Sequence, residues 1–188
     1  TITQDGNTFT WQAMAFNAFA QVTQTARSNN AGQPPLTEQT SYLNDLPHWV
    51  LGLPAQTKTL TYNNVPTNEV VDEYQYDTTN VTLQWRKHFG QTLMSYTFNS
   101  AGQLASFTDG NTHTTTLGNY KRGIPQTITF PATTDQPTPV TKQIVVDDFG
   151  GITSINDENN NKTCYAYDAM GRLTEARPDR AHAIQRLA

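Results

Sequence analysis

Apolar positions recur along this chain in short alternating runs. Residues 57–62 alternate around Leu60 and Tyr62, and residues 73–77 alternate around Tyr74 and Tyr76. Val81, Leu83 and Trp85 would share one face, because strand side chains alternate between two faces. Turn signals separate the runs: Asn63-Asn64, Asp109-Gly110 and Asn159 to Asn161. Two proline-containing stretches, Gly32 to Pro35 and Pro131 to Pro139, read as loops. Strands divided this often by turns predict an all-β architecture of antiparallel hairpins. Helical spacing occurs in two places. Trp11, Met14, Ala15, Ala18, Phe19 and Val22 fit a helix, but the same stretch also fits a strand, a turn and a second strand. Asp45 to Gly52 could form about two helical turns, with Asp as cap and Gly as terminator. A few short helices are therefore expected beside the strands.

Composition sharpens this picture. The 188 residues include 31 Thr, 16 Asn and 15 Gln, an enrichment that suits strands and turns. Leu, Ile, Val and Phe are scarce, but 8 Tyr, 8 Phe and 3 Trp can bury large areas. Net charge is only −4, so disorder is not implied. No apolar run approaches the ~20 residues that span a bilayer, and no charged start with an apolar stretch marks a signal peptide. The first residue, Thr1, suggests an internal piece of a longer protein. A single cysteine, Cys164, leaves no disulfide framework, and 12 Lys plus Arg give no footprint for nucleic acid.

Internal similarity organises the chain. Residues 96–109 run Tyr96-Thr-Phe98-Asn99-Ser-Ala-Gly102-Gln-Leu104, ending at Phe107 and Asp109. Residues 144–157 match without a gap, placing Asp147, Gly150, Ile152 and Ile155 in the same positions. Residues 165–176 match again through Tyr165, Tyr167, Asp168, Gly171, Arg172 and Leu173. Residues 14–22 form a weaker copy with Ala20 in the glycine position. The glycines are 48 and 21 residues apart, so the longer step has room for two units and an insertion. In each copy two apolar residues share a face, and the following Asp or Asn can accept backbone N–H groups exposed by a tight turn. Glycine three residues later supplies a positive φ without steric cost. Gly171 should therefore adopt a positive φ, and Ala20 should either strain its turn or change its type. The three-residue spacing from Leu104 to Phe107 breaks simple alternation and would need a bulge.

These residues resemble the YD repeats of bacterial Rhs proteins, Tc toxin shell components and teneurins. The run from Tyr165 to Leu173 is close to the signature Y-x-Y-D-x-x-G-R-L. Tyr120, Gly123, Pro125 and Ile128 are similar to a W-x-x-G-x-P-x-x-I element found between repeats, with Tyr120 replacing Trp. Trp49 to Gly52 also resembles a segment of bacterial members. The resemblance implies β-hairpins in a twisted sheet, part of a spiral shell around a toxic domain. It implies one repeat segment over residues 1–179, with an additional tail, 180–188, as a short helix, a frayed end or a truncation scar. The family's self-cleavage element and a following toxin domain are absent from this sequence. Secretion or a bacterial cell-surface location of the parent protein follows from the resemblance alone.

Candidate chemistry is sparse. Cys164 has no nucleophile motif around it and reads as a packed or edge thiol. His48, His88, His113 and His182 lack metal-binding spacing. Asp157 to Asn161 carries oxygens at alternate positions like a calcium loop, but Lys162 stands where such a loop needs Gly; a polar hairpin loop fits better. Asp147 and Asp148 are adjacent and would face opposite ways, which suits a turn role better than acid–base work. No catalytic residue, cofactor or metal is expected. Trp49, Tyr74, Tyr76 and Trp85, with Trp11, could face a glycan, although aromatic stripes more often pack a sheet. Two functions follow as expectations: a non-catalytic shell segment that encloses or presents a toxin or other polypeptide, or a surface module binding carbohydrate or protein through aromatics or a sheet edge. Partners would be other repeats of the parent chain, an enclosed toxin, a glycan, or a second copy at an open edge.

Overall fold

The computed structural model describes residues 1–179, in two units divided between Ser95 and Tyr96. The first unit contains β1 (Ile2–Gln4), β2 (Asn7–Phe16), β3 (Val22–Asn29), β4 (Leu36–Asp45), β5 (Val50–Tyr62), β6 (Val65–Tyr76) and β7 (Leu83–His88). Strand β8 (Gln91–Phe98) runs across the division. The second unit continues with β9 (Leu104–Asp109), β10 (Thr114–Gly118), β11 (Thr127–Phe130), β12 (Val140–Val146), β13 (Ile152–Asn156), β14 (Lys162–Tyr167) and β15 (Leu173–Pro178). Each strand pairs only with its neighbours in sequence, and the order β1 to β15 is one open antiparallel sheet.

The described residues contain no helix. The Trp11 to Val22 stretch is the end of β2, a turn at residues 17–20 and the start of β3. Its apolar residues are spread over two antiparallel strands, so the helical spacing is coincidental. Asp45 to Trp49 is likewise the turn between β4 and β5. Val81, Leu83 and Trp85 do not share one face. Val81 lies in the preceding turn at φ 55°. Leu83 pairs with Tyr76 while Trp85 pairs with the adjacent Gln75, which sets those two on opposite faces. The Pro131 to Pro139 stretch is the connection between β11 and β12. The 48-residue glycine step holds two additional hairpin turns, at Asp109 to His113 and at Arg122-Gly123, besides that connection. The tail 180–188, with His182, lies outside the described residues.

Register explains the broken alternation. Val145 faces Ser154 while Val146 faces Ile152, so Thr153 is an extra residue. Thr174 is extra in the same way between Leu173 and Glu175, Thr23 between Val22 and Gln24, and Gln84 between Leu83 and Trp85. Such a bulge moves the return strand by one residue. It brings Ile152 and Ile155 to one face, although they are three apart. The Thr97 and Ser106 hydroxyls meet at 2.7 Å, which gives Ala105 the same place between Leu104 and Phe107.

In the second unit the register also separates two faces. Ser106, Thr116, Thr129 and Thr141 stand opposite one another across four strands. The Thr129 and Thr141 hydroxyls are 3.2 Å apart. On the other face lie Ile128, Ile144, Val146, Ile152 and Ile155. Val146 is 2% exposed and Ile144 9%, yet few other apolar side chains among the described residues are buried. Stability here rests more on hairpin ladders and turns than on a deep core.

Candidate functional site

Seven turns share one construction. Asn17, Asn29, Asn99, Asp109, Asp147, Asp157 and Asp168 each close a strand. In every case the side-chain Oδ1 accepts the backbone N–H groups two and four residues later, at 2.7–3.1 Å. The residue three positions on has a positive φ: Ala20 58°, Gly32 82°, Gly102 76°, Thr112 68°, Gly150 92°, Asn160 62° and Gly171 76°. Gly171 therefore has the conformation its repeat position requires. Ala20 keeps the same turn and carries the strain of a side chain in the left-handed region. Asp77 builds a loop one residue longer: its Oδ1 accepts from Thr79 and Asn80, and Val81 takes the positive φ. Tyr74-Gln-Tyr76-Asp77 is thus a repeat copy that reads from sequence only as an alternating strand. The turn signals at Asp109-Gly110 and Asn159 to Asn161 and the loop at Gly32 are turns as expected. Their shared construction with the repeat copies is not legible in sequence, because two of them have Thr112 and Asn160 in the glycine position. The signal that finds them all is Asp or Asn at a strand end.

These bonds set the charge state of the carboxylates. Asp168 is held below the usual carboxylate range by the Arg172 backbone N–H, then by the Arg172 side chain. Asp157 is lowered by the Asn161 N–H and Asp109 by the His113 N–H. Asp45 is lowered by the His48 N–H and imidazole in its own turn. Asp148 does not join Asp147 in a carboxylate pair for acid–base work. It is lowered by Lys121, whose Nζ is 2.9 Å away. In Asp157 to Asn161 the oxygens are taken by the loop itself, since Asn161 Nδ2 also donates to Asp157 Oδ2 at 3.1 Å. No cluster of three or more His, Cys, Asp or Glu suited to a metal occurs among the described residues.

Tyrosines fasten one hairpin to the next. Tyr42 Oη donates to the Val22 carbonyl at 2.8 Å, Tyr76 to Pro54 at 3.0 Å, Tyr120 to Leu104 at 2.6 Å and Tyr167 to Ile152 at 2.9 Å. Each acceptor immediately precedes the extra residue of a bulge: Thr23, Ala55, Ala105 and Thr153. The bulge disturbs the ladder locally, and the phenol supplies a donor there. Burial raises the pKa of Tyr76 and Tyr120, which keeps both phenols protonated as donors. Gly52 is fixed by a further junction. Its N–H donates to Asn44 Oδ1 at 2.8 Å, and a Cβ there would sit 3.1 Å from Gln21 Nε2.

The remaining predicted residues fall in place around these devices. Phe98 ends β8 directly before Asn99, and Val146 and Tyr167 occupy the equivalent positions before Asp147 and Asp168. Tyr96 shares β8 with Phe98. Tyr165, Tyr167, Ile152, Ile124 and the exposed Phe149 line an open groove of about 960 Å³ beside Asp147. Cys164 stands in β14 opposite Ser154 and Arg177. Of the aromatics considered for a ligand, Trp49 is 75% exposed. Trp85 is covered by Lys87, whose Nζ lies 4.4 Å from the ring centroid, and Tyr74 by Arg86 at 5.6 Å. Tyr76 is buried with its O–H committed to Pro54, so it builds the sheet instead of facing a ligand. The structure does not bring the four aromatics into one platform: Tyr74 and Trp85 belong to the β6–β7 pairing, Trp49 to a turn.

A sheet made of successive hairpins with one repeated turn, bulge and tyrosine bond defines a hairpin-repeat protein. No family model matches the sequence, and no curated protein matches it. Solved structures do. A crystal structure of TcdB2-TccC3 without its hypervariable C-terminal region matches 88% of this chain at TM-score 0.61 and 16% identity. The TcdB2-TccC3-TEV crystal structure matches at 0.60 and 16%. The Photorhabdus luminescens Tc holotoxin pore, carrying a TccC3 mutation, matches at 0.60 and 15%, again over 88% of this chain. This chain spans 9% of the length of each. The fold is that of a segment of these Tc toxin proteins, in agreement with the YD-repeat resemblance of the sequence.

Proposed function

We propose that this chain is a non-catalytic wall segment of a YD-repeat shell that encloses or presents a toxin or other polypeptide. The observation that carries this reading is the repetition itself. Turn carboxylates are spent on backbone N–H groups and four tyrosine hydroxyls on carbonyls, so the residues that could do chemistry build the hairpin row. The parent protein is secreted or displayed at a bacterial surface on this reading, and its cargo contacts the apolar side of the wall. The chain should turn over nothing in a broad panel of hydrolase substrates. Reproducible turnover that one point substitution abolishes would overturn the reading.

A second reading has one observation in its favour. Trp49 stands 75% exposed in the β4–β5 turn, where an indole can stack on a sugar or on a partner's apolar side chain. A glycan array separates the two readings: saturable binding lost in Trp49→Ala, with the fold intact, favours a surface-binding module.

A further inference from the structure

One face of the first unit carries a row of side chains that take no part in the turn and tyrosine bonds. Trp11 on β2 stands opposite Arg27 on β3, Arg27 opposite Leu36 on β4, and Leu36 opposite Tyr62 on β5. Residues directly opposite in an antiparallel ladder point to the same side, so these four form one row across the strands. Three inter-strand steps, about 14 Å, separate the two rings. Both rings are open to solvent, Trp11 at 54% and Tyr62 at 52%. An open groove of about 420 Å³ lies along the row beside Phe9, Trp11, Arg27 and Leu36.

A balanced ion pair sits between the rings. Arg27 Nη2 is 2.9 Å from Glu38 Oε2, with the Arg27 side chain 59% exposed. Glu38 follows Leu36 by two residues on β4, so it shares this face. One carboxylate oxygen uses only part of the five-donor guanidinium fork, and the carboxylate keeps acceptor capacity of its own. The pair has no net charge to draw an anion or a cation. An apolar peptide, or a second copy of the same face, would bury both charges without a new hydrogen-bond partner. A pyranose ring suits both parts of the row. Its apolar face can lie on an aromatic ring, and a hydroxyl at its edge can accept from Arg27 and donate to Glu38 at once.

We propose that the row Trp11, Arg27, Leu36 and Tyr62 is a binding site for a neutral, linear hexose glycan. Sugar faces lie on the Trp11 and Tyr62 rings, and hydroxyls between them engage the Arg27–Glu38 pair. The span between the rings suits a chain of several linked sugars and not a single one. The site is separate from the exposed indole of Trp49. It is compatible with the wall-segment reading and does not rest on it, since a wall can hold a sugar on its face without chemistry.

The test titrates the full chain with cellohexaose, mannohexaose and laminarihexaose by calorimetry. At least one should bind with a Kd of about 1 mM or tighter. Trp11→Ala and Tyr62→Ala should each weaken that binding at least about fivefold, with an unchanged circular-dichroism spectrum. Trp11→Phe keeps an aromatic face and should retain most of the affinity, which covers the case in which the alanine variant does not fold. Glu38→Gln leaves Arg27 uncompensated, so it should weaken the neutral glycan and admit hexagalacturonate. Trp49→Ala should change nothing. Saturable binding of none of the three hexasaccharides overturns the proposal, as does a preference of the unmodified chain for hexagalacturonate. Equal binding by a folded Trp11→Ala, or loss in Trp49→Ala in its place, overturns it too. The hydrolase panel reads the wall-segment function independently, so the two can fail separately.

Discussion

At the scale of single residues, the turn chemistry makes sharp demands. Gly171 has φ 76° and open space around its absent Cβ, so conformation alone requires glycine there. Gly171→Val should cost roughly 1–2 kcal/mol or more, read as a lower midpoint in urea. Ala20→Gly should raise stability by about 0.5–1 kcal/mol, because it relieves a strained alanine. Tyr76→Phe should cost about 1 kcal/mol by leaving the Pro54 carbonyl without its donor; the more exposed Tyr167→Phe should cost less, since water can replace the phenol. Glycine was the legible marker in sequence because it stands out at a fixed offset. The positive φ, not glycine itself, is what the turn needs. Thr112 and Asn160 meet that need at some cost, so a search for glycine passes over their turns.

At the scale of the element, the hairpins closed by Asp45, Asp109, Asp157 and Asp168 are acid-sensitive units. The folded carboxyls of Asp45, Asp109, Asp157 and Asp168 titrate below their ordinary value because they accept backbone N–H bonds as anions. A group with a depressed folded pKa contributes its full stability above the unfolded value. That contribution is lost as pH falls through the folded one. Urea midpoints should therefore show the loss from these carboxyls beginning near pH 4 and growing toward lower pH. Asp168→Asn should retain the turn, as Asn17 and Asn99 do in theirs, and should flatten part of the acid dependence. An unchanged acid slope in that variant would remove Asp168 from the account. Strand existence was readable from alternation, but register was not. The bulges at Thr23, Thr153 and Thr174 leave no more than a three-residue spacing in the sequence. The helical spacing of Trp11 to Val22 shows the converse, a period created by two strands and the turn between them.

At the scale of the whole molecule, β1 and β15 are the outermost strands of the sheet among the described residues. Open edges recruit other strands, and mass in solution measured over a range of concentration should rise with concentration. Pro178 limits the contribution of β15, because it has no backbone N–H to offer a pairing strand. Pro178→Thr should therefore strengthen association; an unchanged mass profile would show that this edge takes no part. The repeat architecture was legible because three copies preserve glycine, apolar pair and Asx residue together. The partner was not legible, because walls are built from residues whose bonds close within the chain. The measurement that most directly tests the wall claim is electron cryomicroscopy of the complete polypeptide that carries this segment. The account predicts a hollow particle with these hairpins in its wall and polypeptide density inside. A particle without a cavity, or one bearing this segment as a separate lobe on its surface, would contradict it.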